Sequence, residues 1–178
     1  MERADPNATD PIYVANAGLV LLSPFLPALF DRLKLLSEVD GVPRIIGVEA
    51  ASRAVHLLQY LVDGRLDCPA PHLALNKVVC GLPVAQPVSA AIAPAASDLE
   101  VCDGLLGAVI NNWPVISSTS VAGLRETFLQ RDGRLMAGED RWSLTVGRKT
   151  LDVLVDQAPW SFSVLFHPWM VRPIHVTW

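Results

Sequence analysis

Alternation of apolar and polar residues near the carboxyl end constrains this 178-residue chain more than any other feature. Residues 142–146 read Trp-Ser-Leu-Thr-Val, and after the turn signal Gly-Arg-Lys at 147–149 the alternation resumes at Leu151, Val153 and Val155. A period of two puts successive side chains on opposite faces of a strand. The pattern therefore predicts a β-hairpin over residues 142–155.

Two further runs, 162–166 and 174–178, alternate in the same way. Proline interrupts the chain between them, so they cannot form one continuous strand. Together with the hairpin, these runs predict a small antiparallel sheet built from residues 142–178.

Trp160, Trp169 and Met170 have two interpretations. They could anchor the core, or they could form an exposed apolar patch that binds another subunit. Large aromatic side chains are heavily buried on average, which favours the core.

Helical spacing of apolar residues dominates the chain before the sheet and predicts about five helices between Pro27 and Gln130. The clearest runs from Glu49 to Val62 and ends before Gly64, a typical stop signal. The predicted fold class is therefore α+β, with helices packed on a C-terminal antiparallel sheet.

Polar residues on these helices carry local predictions. Arg53, His56 and Gln59 line up opposite the apolar stripe of their helix and predict a solvated face. Ser-Asp-Leu-Glu at 97–100 has the spacing of a capping box, and the Ser-Thr run at 117–120 offers N-caps for a later helix.

Residues 83–96 contain three prolines, six alanines and no charge. This composition predicts a loop long enough to be mobile or to face a partner. We expect residues 1–10, rich in Asp, Asn, Pro and Thr, to be a disordered lead-in, and residues 11–178 to form a single α+β domain that includes this loop.

Charge and hydropathy exclude several classes of protein. The net charge is −4, and no run of Lys and Arg is present, which argues against nucleic acid as a partner. Residues 11–30 are uncharged over a length that could span a bilayer, but internal Pro, Gly and Asn argue against a membrane helix. The polar amino terminus lacks a signal-peptide pattern, so we expect a cytoplasmic protein.

Motifs that would indicate an enzyme are missing from the sequence, which carries no nucleophile elbow, zinc-protease motif or phosphate loop. Cys68, His72 and Cys80 have spacing that suggests a metal, but no fourth ligand follows, and buried cysteine is commoner. We predict no enzyme activity, cofactor or metal. A hydrolase using Asp152 or His167 stays open as an alternative, because only geometry can exclude it.

Five phrases, in this order, carry a family resemblance: residues 11–30, 53–61, 75–83, 123–131 and 159–170. Together they resemble the tape measure protein family of contractile injection systems, the phage-tail-like devices in which a sheath contracts around an inner tube. The resemblance implies a structural protein that helps to set particle length and contacts tube and baseplate subunits, and it leaves homo-oligomers possible.

The expected contact surfaces are loop 83–96 and a face bearing Arg125 and Arg131, with Trp160, Trp169 and Met170 as further candidates. An adaptor or chaperone of baseplate assembly that leaves the mature particle is the main alternative. A helix rises about 1.5 Å per residue, so even a fully helical chain of this length reaches only about 270 Å. We therefore expect a docking module of a length-control system rather than a long ruler.

Overall fold

The computed structural model describes residues 10–178. All five α-helices of this part of the chain lie before residue 125, and strands from near both ends of the chain pair in one sheet. The predicted α+β class is confirmed. The lead-in predicted for residues 1–10 lies, apart from Asp10, outside the described residues.

Five α-helices lie in residues 10–178, in agreement with the sequence prediction. They are α1 (Leu26–Arg32), α2 (Gly47–Asp63), α3 (Ala74–Val79), α4 (Ala96–Asn111) and α5 (Val121–Leu124). The other helical segments are the 3-10 helix Ala17–Phe25, the 3-10 turns Ala70–Leu73, Pro114–Ile116, Thr150–Val153 and Val155–Gln157, and a π turn at Arg125–Leu129. No helix among the described residues combines the length and the apolar character that crossing a bilayer requires.

Seven strands lie in the same part of the chain: β1 (Ile12–Val14), β2 (Ser37–Val39), β3 (Val42–Arg44), β4 (Gly133–Ala137), β5 (Trp142–Val146), β6 (Val164–Leu165) and β7 (Ile174–Thr177). β2 and β3 form a separate two-stranded sheet, and the other five have the order β1-β4-β5-β7-β6. The prediction of strands at 142–146 and 174–178 is confirmed, whereas β1 joins the sheet from the far end of the sequence.

The predicted hairpin over residues 142–155 is wrong. β5 pairs with the preceding β4, and residues 150–157 form two 3-10 turns. The turn at 150–153 is closed by the Asp152 carboxylate, which accepts a hydrogen bond from the Lys149 N–H at 2.8 Å. Asp152 is fully buried, so the segment turns inward instead of extending.

A purely antiparallel sheet is also wrong, because β5 and β7 are parallel. Between them the chain crosses back through the 3-10 turns and β6, so that β7 runs in the direction of β5. A parallel pair needs such a crossover connection.

One contiguous apolar core extends from Val14 to Ile174 and includes residues from all five α-helices and from the inner face of the sheet. α2 lies deep within it. Its predicted solvated face is wrong at His56 and Gln59, which are 0% and 5% exposed.

Loop 83–96 lies against α2 and forms hydrogen bonds with two of its side chains, one of which is His56. The Ser89 carbonyl accepts a hydrogen bond from His56 Nε2 at 2.7 Å, and the Ser89 N–H donates to Ser52 Oγ at 2.8 Å. Val88 and Ile92 pack partly buried against the core. The loop thus contributes to the fold, which the expectation of a mobile segment did not foresee.

Of the two helix N-caps predicted from the sequence, one is formed and the other is not. Ser120 caps α5 as predicted, accepting a hydrogen bond from the Gly123 N–H at 3.0 Å. The capping box predicted at Ser97 is not formed, because α4 already begins at Ala96 and its N-cap, Ala95, has no capping side chain.

Candidate functional site

Arg131, one of the predicted contact residues, is completely buried in an ion pair with Asp152. Two guanidinium nitrogens donate to the two carboxylate oxygens, and further hydrogen bonds run to the carbonyls of Thr127 and Gly147, each at 2.8 Å. The Trp178 indole N–H also donates to Asp152 at 2.9 Å. This arrangement, which we name the Arg131–Asp152 pair, joins the π turn to the end of the chain.

The charge on Asp152 is set by these bonds. Burial alone would raise the pKa of the Asp152 carboxyl, but hydrogen bonds from Arg131, the Lys149 N–H and Trp178 outweigh burial and hold that pKa below its ordinary value. Asp152 is therefore an ionised structural group, and Arg131 cannot reach a partner from this interior position.

Arg125, the second arginine of the predicted contact face, closes the end of α2. Its Nη2 donates to the Tyr60 carbonyl at 2.8 Å and its Nε to the Leu61 carbonyl at 3.2 Å. The guanidinium also lies 5.0 Å from the centre of the Tyr60 ring. The Tyr60 carbonyl also accepts a hydrogen bond from the Gly64 N–H at 2.8 Å, so Arg125 adds a second donor there. A cation at a helix C-terminus is stabilised by the carbonyls of the last turn. Arg125 is half-buried, so its contact with a partner stays a prediction.

The aromatic candidates belong to the core. Trp169 and Met170 are each 3% exposed, and the Trp169 indole donates to the Val79 carbonyl at 2.9 Å. Trp160 is half-buried, donates to the Leu21 carbonyl at 2.9 Å and packs edge-on against Phe25. The core interpretation fits all three, and the exposed-patch alternative does not fit Trp169 and Met170.

Hydrolysis by Asp152 or His167 finds no support in the geometry. Asp152 belongs to the Arg131–Asp152 pair, whereas His167 stacks on Trp169 with ring centres 4.6 Å apart and lies 3.0 Å from Ser23 Oγ. A hydroxyl beside an imidazole resembles a nucleophile with its base. Ser23, however, is 7% exposed, and no carboxylate in residues 10–178 makes a hydrogen bond that orients the His167 ring.

The cysteines are buried free thiols. Desolvation raises the pKa of Cys102 to about 12, so this thiol stays protonated. Within residues 10–178 no group of three His, Cys, Asp or Glu side chains is arranged to hold a metal ion.

His167 predicts a pH dependence of stability. Burial lowers the pKa of its imidazole, so the folded state binds the proton more weakly than the unfolded state, whose histidine titrates near pH 6.5. Stability is then complete above about pH 6.5 and decreases as the pH falls towards the lower folded pKa. Denaturant unfolding should give a smaller free energy at about pH 5 than at about pH 7.

The replacement His167→Gln, which keeps a hydrogen-bonding group beside Ser23, should flatten this pH profile. The matched control is His72→Gln, because His72 is exposed and lies on the 3-10 turn before α3. A profile that is equally steep in the His167 variant would contradict the assignment.

The outer face of the five-stranded sheet is open to solvent. We use this name for two cross-strand rows, in which Tyr13, Arg134, Thr145 and Thr177 are aligned in one row and Met136, Ser143, His175 and Val164 in the other. Tyr13 is 73% and Val164 51% exposed. The opposite face, with Leu135, Leu144 and Ile174, is buried.

Buried carboxamides are the polar feature that the sequence interpretation missed. Asn16, Gln59 and Asn76 are each at most 5% exposed and bond to one another across α2, α3 and the segment after β1. Asn16 stands in the uncharged run 11–30 and Asn76 among apolar helical residues. A lone carboxamide in an apolar run is the signal that could have identified them, because a buried polar group needs a partner.

In these features the Arg131–Asp152 pair and Trp169 belong to the interior, and the outer face of the sheet is open to solvent. A family model described as contractile injection system tape measure protein matches residues 1–178. The chain therefore belongs to that family, as its five phrases predicted. No curated protein and no solved structure matches it.

Proposed function

We propose that this chain acts in the assembly of a contractile injection particle, where it contacts inner-tube and baseplate subunits and helps to set tube length. The observation that carries the proposal is the family match over the whole chain. α2, the longest helix in the described residues with 17 residues, spans only about 26 Å at 1.5 Å per residue. A role in docking to other subunits therefore suits the chain better than the role of an extended ruler.

The contact surface that we propose for a particle subunit is the outer face of the sheet. Three of the predicted contact residues, Arg131, Trp169 and Met170, are buried. Loop 83–96 is held against α2 by hydrogen bonds. The outer face, in contrast, presents Tyr13, Arg134 and Met136. Aromatic residues, arginine and methionine are enriched in protein interfaces. Arg125 and Trp160, the other predicted contact residues, are outside the two rows of this face and are half-buried.

Composition of purified particles tests the proposal. Mass spectrometry should detect the chain in mature particles, and electron microscopy should show an altered length distribution when its gene is deleted. The adaptor or chaperone alternative predicts that the chain is missing from mature particles. An unchanged length distribution would contradict length control.

The surface itself can be tested with Thr145→Lys, which places a second cation beside Arg134 on the outer face. We expect incorporation into particles to fall by about tenfold, equivalent to about 1.4 kcal/mol of binding free energy. The matched control is Ser37→Lys, an exposed strand position opposite Arg44 in the two-stranded sheet. Equal incorporation of both variants, folded alike by circular dichroism, would exclude the outer face.

A further inference from the structure

An open cavity of about 480 Å³ lies between α3, β1 and the first part of loop 83–96. Most of its lining is apolar and includes Ile12, Ala74, Val84 and Val88. Ile12 is paired with the buried Leu135, so its side chain is on the side of the sheet away from the outer face. The cavity is therefore separate from the contact surface proposed above.

Lys77 is the charged side chain that lines this cavity. The residue is only 5% exposed, and its ammonium group donates a hydrogen bond to the Val84 carbonyl at 3.1 Å. Within residues 10–178 the ammonium group has no other hydrogen bond and no ion pair. Because an ammonium group has three donors, two of them have no acceptor in this part of the chain.

The positive charge of Lys77 is also uncompensated. Burial lowers the pKa of the Lys77 ammonium group, and no carboxylate of the described residues acts to raise it. Buried charges in proteins are normally paired, because their removal from water is costly. An anion that enters the cavity therefore meets a cation that has lost water without gaining a counter-charge.

Gln86 supplies a second donor from loop 83–96. Its side chain is half-buried, lines the cavity and makes no hydrogen bond with residues 10–178. The amide nitrogen of a glutamine can donate two hydrogen bonds. The cavity thus combines a cation and an amide donor with apolar walls.

We propose that this cavity binds a carboxylate group carried on a short apolar chain. The carboxylate accepts hydrogen bonds from Lys77 and Gln86 and neutralises the buried charge, and such charge-assisted bonds are stronger than neutral ones. The apolar chain covers the apolar walls and removes their surface from water. A single cation suits a singly charged carboxylate better than a phosphate, whose second charge would lie uncompensated against these walls. This site goes beyond the proposed function and does not depend on it.

Titration of the whole protein with hexanoate at about pH 7, where a carboxylic acid is ionised, tests the site. The backbone amide NMR signals of Val84 and Gln86 should shift and saturate, and hexanamide, which has the same chain without the charge, should bind at least tenfold more weakly. Lys77→Met keeps an unbranched side chain but removes the charge, and it should raise the Kd of hexanoate at least tenfold, equivalent to about 1.4 kcal/mol. Lys34→Met is the matched control, because Lys34 is exposed and does not line the cavity, and it should leave Kd unchanged.

Titration of Lys77 itself keeps the test decisive even if Lys77→Met fails to fold. In the parent protein with isotope-labelled lysine, saturating hexanoate should raise the pKa of Lys77, because a bound carboxylate favours the charged form of the amine. The site is excluded if hexanoate gives no saturable shift, if hexanamide binds equally, if a folded Lys77→Met keeps the original Kd, or if hexanoate leaves the pKa of Lys77 unchanged.

Two peptides identify the source of the carboxylate. Acetyl-Gly-Gly-Leu has a free carboxyl terminus, whereas acetyl-Gly-Glu-Leu-amide has only a side-chain carboxylate. Binding of the first alone assigns the cavity to the terminus of a polypeptide, binding of the second to an internal acidic residue, and binding of hexanoate without either to a free aliphatic acid. All three results support a carboxylate site.

The particle assay keeps this inference separate from the proposed function. Hexanoate binding is measured on the isolated protein. A chain that is missing from particles can still bind hexanoate, and a chain that is incorporated can fail to bind it.

Discussion

Replacing Arg131 with methionine is expected to lower the free energy of unfolding by about 3–5 kcal/mol, as when one partner of a buried ion pair is removed. Both side chains of the Arg131–Asp152 pair are buried, at 0% and 1% exposure. The variant leaves the Asp152 carboxylate in the interior without its counter-charge and removes the donors to the carbonyls of Thr127 and Gly147. Urea unfolding followed by circular dichroism measures the change.

An exposed ion pair in the same protein supplies the control. Arg148 and Asp156 lie 2.9 Å apart but are 49% and 58% exposed, so Arg148→Met should cost at most about 1 kcal/mol. The double variant Arg131→Met with Asp152→Leu should lose less stability than the two single variants together, because no unpaired charge stays buried. A loss for Arg131→Met no larger than the control would contradict the structural role of the pair.

Gly81→Ala is expected to cost about 2–5 kcal/mol, the sum of a left-handed backbone penalty and a backbone overlap. Gly81 follows α3 with φ of +73°, and a β-carbon there would lie 2.0 Å from the Trp169 carbonyl oxygen. Because the overlap is with backbone, no side-chain rotation relieves it. In the variant, the end of α3 and the segment that carries Trp169 and Met170 must therefore move apart.

Gly104→Ala is the matched control for this substitution. Gly104 lies within α4, and a β-carbon would meet no atom within 4 Å. Alanine is favoured over glycine in a helix interior by about 0.5–1 kcal/mol, so this variant should be more stable than the parent chain. Thermal unfolding of the two variants should shift in opposite directions, and a shift in the same direction would disprove the close approach at Gly81.

Local patterns predicted the type of most elements. The period-two runs at 142–146 and 174–178 became β5 and β7, and the amphipathic run 49–62 became most of α2. The same alternation at 151–155 wrongly predicted a strand. Alternation alone does not show that Asp152 pairs with Arg131 inside the protein. The sequence also did not predict that β5 and β7 are parallel. The relative direction of two strands depends on the path of the chain between them, which local patterns do not show.

The candidate contact residues show the same division. The sequence analysis predicted contacts with a partner for five residues: Arg125, Arg131, Trp160, Trp169 and Met170. Residue type alone, however, does not determine whether a large or charged side chain is buried. Arg131 turned inward because Asp152 reaches it from 21 positions away. The buried carboxamides were missed for the same reason, since Asn16 and Asn76 meet across 60 positions.

By itself, then, the sequence determined the α+β class, the helices from α1 to α5, the two principal strands and the family, because each depends on periodicity or on phrases within one stretch. Only the tertiary structure decided that the strands near the carboxyl end form a mixed sheet with β1, that loop 83–96 covers α2, and that arginine and tryptophan side chains serve the interior. The physical reason is that a buried polar group must find its partner wherever the fold brings one, and sequence neighbours do not reveal that partner.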